Sequence, residues 1–80
     1  LPDKDVILGD SQILYEYIQK KTACNFDELQ DYSKLDNIHL CMALIRLMQE
    51  HKICQKSFEG GIVYTIDFDP IRSLLNDSES

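Results

Sequence analysis

The chain has 80 residues, 44% of them hydrophobic, and a formal net charge of −6. That length makes one domain, in which nearly every good apolar residue is needed for the core; no apolar run reaches the roughly 20 residues that span a bilayer, and no signal-peptide pattern is present. In place of the dense basic face usual in nucleic-acid binders, residues 1–36 sum to −4, residues 37–58 to +2 and residues 59–80 to −4.

Residues 1–9 read as a lead-in whose Val6-Ile7-Leu8 docks on the domain. Asp10 or Ser11 is the expected N-cap of a first helix, Ser11 to Lys21, because a short side-chain oxygen accepts a free first-turn amide. Ile13, Leu14, Tyr17 and Ile18 recur there with helical spacing. Lys20 and Lys21 fall at the end that the helix dipole favours for cations. Thr22-Ala23-Cys24 suits a short strand. Asn25 and Glu28 form a capping box that opens a second helix, Phe26 to Ser33, with Phe26, Leu29 and Tyr32 on one face.

Asp36 caps a third helix, Asn37 to Lys52, with Leu35 and Leu40 placed as a hydrophobic staple. Stepping 100° per residue, Ile38, Cys41, Leu44, Ile45 and Met48 form the expected core face. Leu40 and Leu47 widen it on one side and Met42 on the other; His39, Ala43, Arg46 and Glu50 point outward. Two extended runs follow, 53–58 and 62–66, in which Ile53, Phe58, Ile62, Tyr64 and Ile66 are the structural positions. Gly60-Gly61 supplies the positive φ angles of a two-residue hairpin turn. Asp69 and Pro70 open a short C-terminal helix, residues 69–76, that packs Ile71, Leu74 and Leu75 onto the first helix or a neighbouring domain. Residues 77–80 read as an acidic tail or linker.

The order helix, short strand, helix, helix, strand, strand resembles the winged-helix (winged helix-turn-helix) superfamily over about Ser11 to Ile66. The run Ala43-Leu44-Ile45-Arg46-Leu47-Met48-Gln49-Glu50-His51-Lys52-Ile53 is similar to that superfamily's third helix running into its wing. The resemblance implies an α+β fold: three helices, a small antiparallel hairpin wing, and here a short C-terminal helix. The domain then covers residues 10–68. The acidic character resembles protein-binding members.

In DNA-binding members the outward face of the third helix enters the major groove, which asks for Arg, Lys, Asn, Gln or Ser there. Asn37, His39, Ala43, Arg46 and Glu50 offer one Arg against one carboxylate, and a plain solvated face is the competing account. Met42 beside the core stripe reads as a pliable protein contact. On the second helix, Asp27 and Glu28 complement the helix dipole, which leaves Asp31 as the carboxylate a basic partner would meet.

Cys24, Cys41 and Cys54 are an odd, widely spaced set, read as buried thiols in a reducing compartment, nucleus or cytoplasm, with the nucleus favoured. No paired Cys-x-x-Cys stands for structural zinc, and His51 reads as a C-terminal helix cap. No nucleophile-base-orienter set and no phosphate-cradling glycine loop is present. The expectation is therefore no enzyme, no metal and no cofactor. Two functions stand beside each other. One is an interaction module of a larger intracellular protein, beginning here at Leu1, that binds a partner protein or subunit through Met42, Arg46, His39, Glu50 and Asp31. The other is a DNA- or chromatin-binding domain that contacts phosphates through Arg46, Lys52, Lys56 and Lys34, aided by Lys20 and Lys21.

Overall fold

A computed structural model describes residues 3–67. Its first helix, α1, spans Lys4–Lys21 and is capped by Asp3, whose carboxylate accepts the Asp5 N–H at 3.0 Å. The expected start at Ser11 is corrected by this earlier cap. Val6-Ile7-Leu8 is helical, and Ser11 lies inside the helix, buried, its hydroxyl donating to the Leu8 carbonyl at 2.9 Å. Gly9, the one glycine in the helix, had favoured a later start. A Cβ built on Gly9 meets nothing within 4 Å. Gly9→Ala is therefore expected to stabilise the domain by roughly 0.4–1 kcal/mol, read from the midpoint of a urea unfolding curve; destabilisation would mean that α1 does not extend to Lys4.

A three-residue strand, β1 (Ala23–Asn25), leads into α2 (Phe26–Ser33). The capping box forms as the sequence dictates: Glu28 N–H donates to Asn25 Oδ1 at 2.8 Å, and Asn25 N–H to Glu28 Oε1 at 3.3 Å. Leu29 is the buried residue of α2, while Tyr32 stacks on Tyr17 of α1 with ring centres 3.9 Å apart.

Helix α3 spans Asn37–Gln49 under an Asp36 cap, with His39 N–H donating to Asp36 Oδ1 at 2.8 Å. It stops short of Lys52 because His51 takes a left-handed φ of 59°. His51 N–H then donates to Met48 O (3.1 Å) and Lys52 N–H to Leu47 O (2.9 Å), the two bonds of a Schellman ending. His51 thus ends the helix through its backbone.

Strands β2 (Ile53–Phe58) and β3 (Gly61–Ile66) make an antiparallel hairpin, and β1 pairs on the far side of β3, giving the order β1-β3-β2. Phe58 pairs with Gly61, so the turn is Glu59-Gly60, with φ of 49° and 80°, and Gly61 belongs to β3. The turn sits one residue earlier than Gly60-Gly61. Two positive φ angles are what a two-residue type I′ turn demands.

The described residues form a small α+β domain: three helices against one face of a three-stranded antiparallel sheet. The core joins Leu14 and Ile18 of α1, Cys24 of β1, Leu29 of α2, Leu40, Ala43, Leu44 and Leu47 of α3, Ile53 of β2 and Tyr64 of β3. Phe58 and Ile62 were expected as structural positions, but both are exposed. Strand alternation sends Phe58 to the face opposite Ile53. Ile62 lies beyond the reach of β1, which pairs only with Val63 to Thr65. Ile13 is also exposed, because Leu14 and Ile18 carry the buried side of α1. The expected C-terminal helix (69–76) and tail (77–80) lie outside the described residues. Among the described residues no helix is long and apolar enough to cross a membrane.

Candidate functional site

The solvent side of α3 is where sequence and structure differ most. The buried residues of α3 are Leu40, Ala43, Leu44 and Leu47, an i, i+3, i+4, i+7 set that shares one side of the helix, and α1 is the element packed most extensively on α3. Ala43, expected outward, is fully buried. Ile38, Cys41 and Ile45, expected inward, are exposed, Ile38 at 64% and Ile45 at 48%. The core face is therefore Leu40 and Leu47 with Leu44, and the remaining apolar positions face water. The small side chain at 43 is part of the buried core cluster.

The exposed side of α3 is consequently an apolar stripe. Ile38, Met42, Ile45 and Gln49 lie on the side opposite the core, with Cys41 along one border. Met42 is half-buried. With Ile45, Arg46, Gln49 and Ile7 of α1 it lines an open groove of about 230 Å³. The early start of α1 makes that groove, since a non-helical lead-in would not fix Ile7 there.

Polar groups border the stripe and are largely engaged. Arg46 is half-buried and its Nη2 lies 3.4 Å from Glu50 Oε2. Glu50 also meets Lys52 Nζ at 3.7 Å, and the same ammonium lies 5.5 Å from the Tyr15 ring centre. His39 Nδ1 lies 2.7 Å from Asp36 Oδ1. The His39 backbone N–H, and then its ring, hold the Asp36 carboxyl below its ordinary value of 3.8.

The structure therefore brings Met42 and Arg46 together in one groove, with Glu50 paired to Arg46 and His39 tied to the cap. Asp31 is exposed on α2. The cations of the phosphate-binding alternative are spread out. Lys34 caps α2 before α3 begins, Lys56 stands exposed on β2, and Arg46 and Lys52 share Glu50. A helix of 13 residues is about 20 Å long, so Lys34 and Lys52 sit at opposite ends.

The three cysteines differ in setting. Cys24 is fully buried, and burial, with the Glu28 charge, pushes its thiol up against a smaller opposing pull from Lys21. Cys54 is half-buried with Sγ 3.4 Å from Thr65 Oγ1, and Cys41 is exposed, so the expectation of three buried thiols holds for Cys24 alone. The signal that sequence reasoning missed is the apolar excess on α3: Ile38, Cys41 and Ile45 remain once the Leu40-Ala43-Leu44-Leu47 face is assigned. No family model, curated protein or solved structure compared with this chain matches it.

Proposed function

We propose that this chain is a non-catalytic interaction module with a winged-helix arrangement, part of a larger intracellular protein, which docks a partner protein through the solvent side of α3. The exposed stripe of Ile38, Cys41 and Ile45 beside Met42 carries this conclusion. Apolar side chains at i, i+3 and i+7 of one helix, here two isoleucines and a thiol, are what an apolar partner surface buries. A phosphate-reading helix would present cations there instead. Arg46, His39 and Glu50 form the polar border that orients a partner, and Asp31 adds a carboxylate on α2. The free thiols fit a reducing compartment.

The test compares the wild-type domain with Ile45→Asp as bait. Ile45 faces water, so the variant stays folded, and it loses by about thirty-fold or more the affinity for any protein that wild type retains. A partner held equally by both baits would move the docking surface away from α3. Titration with a short DNA duplex at low salt is the parallel measurement. Salt-sensitive amide shifts at Arg46, Lys52 and Lys56 would favour the phosphate-binding alternative.

A further inference from the structure

With α3 taken as the docking face, as proposed above, we infer that its occupant is a second copy of this chain, packed α3 against α3, antiparallel, about a two-fold axis. In a two-fold interface one patch meets itself, so that residue i faces j and j faces i. The stripe on α3 meets this condition. With the axis between Cys41 and Met42, Ile38 of each copy faces Ile45 of the other, and both residues are exposed in the single chain. Cys41 and Met42 then occupy the centre, a small thiol beside an unbranched thioether that fills irregular gaps. The groove between Ile7 and the Met42-Ile45-Arg46-Gln49 side gives an aliphatic side chain of the incoming helix a seat.

The charges follow the same symmetry. Lys34 and Asp36 stand at the start of α3, and Arg46 and Glu50 at its end. Antiparallel packing turns Asp36 toward Arg46 of the other copy and Lys34 toward its Glu50. With Lys52 beside Glu50, the charges bordering this side sum to +1, so it carries none of the negative excess of a chain whose net charge is −6. Approach through α2, which carries Asp27, Glu28 and Asp31, would set like charges against each other, and that disfavours the contact. Two copies thus have one face on which apolar spacing and charge both complement themselves.

The experiment is sedimentation of the whole chain from micromolar to millimolar concentration, for wild type, Ile38→Asp and Ile45→Asp. Wild type is expected to rise toward twice its 9.3 kDa mass, and each variant to weaken association by about thirty-fold or more. Ile38→Asp places a carboxylate in the first turn of α3, where the helix dipole favours it, so folding is not at stake in that variant. A short bismaleimide is expected to join two copies through Cys41 in a Cys54→Ser background, and not once Cys41→Ser is added. Monomer mass at millimolar concentration overturns the second copy as occupant and leaves the docking face to be tested with other proteins. A dimer that persists in both Asp variants overturns α3 as the face, and the proposed function with it.

Discussion

Ala43→Asp unfolds the domain, whereas Ile45→Asp, two residues further along the same helix, leaves it folded. Ala43 is fully buried in the core, while Ile45 is 48% exposed. A carboxylate forced into the first position enters a core that, among the described residues, buries no Lys, Arg or His side chain to pair with it. An unpaired buried charge costs several kcal/mol, and the larger side chain adds overpacking. A chain of this length has a total stability on the order of 4–12 kcal/mol, so one such change is enough. At Ile45 the carboxylate stays in water, and the cost is a few tenths of a kcal/mol, as for most surface substitutions. Amide dispersion in a two-dimensional NMR spectrum reads both outcomes directly. A folded Ala43→Asp beside an unfolded Ile45→Asp would restore the helix orientation that the sequence periodicity suggested.

Leu29→Ala is expected to cost about 2–5 kcal/mol, an effect out of proportion to the short helix that carries it. Helix α2 has eight residues, fewer than the roughly 12–15 that an isolated helix needs to be even marginally stable in water. Its capping box supplies about 1 kcal/mol, and Leu29 is the α2 side chain wholly enclosed in the core. Removing it leaves a cavity in the core cluster that Leu29 shares with Leu14, Cys24 and the α3 leucines, and frees α2 to fray. Guanidinium unfolding measures the loss, and hydrogen exchange is expected to show the α2 amides opening first. Asp31→Ala, on the exposed side of the same helix, serves as the control within about 0.5 kcal/mol. A loss at Leu29 no larger than at Asp31 would remove α2 from the core.

The parts of the fold that were legible depend on neighbours in sequence. The Asn25-Glu28 box and the Asp36 cap form where they were read, because each closes a hydrogen bond over three residues. The hairpin was also legible, although its turn shifted by one residue when Glu59 accepted the left-handed angle assigned to Gly61. The start of α1 was not. Gly9 and the capping candidates Asp10 and Ser11 gave a plausible local start, but Asp3 offers an equivalent cap two turns earlier, and Ile7 then packs beside Met42 and Ile45.

The candidate site was half legible for the same reason. Met42, Arg46, His39 and Glu50 were read as contact residues, and they lie on or beside the exposed apolar stripe of α3; Ile38, Cys41 and Ile45, which make that stripe, were assigned to the core. Nine of the thirteen residues of α3 are apolar, so a helical projection finds a hydrophobic stripe on either side and cannot rank them. The sequence by itself determined the order of the six elements between residues 4 and 66, the caps of α2 and α3 and the acidic charge, all of which follow from local hydrogen bonding and composition. Only the tertiary structure decided which side of α3 is buried. That choice rests on packing between elements distant in sequence: Leu40, Ala43, Leu44 and Leu47 are enclosed in the core, and the branched Ile38 and Ile45 are left on the opposite, exposed side.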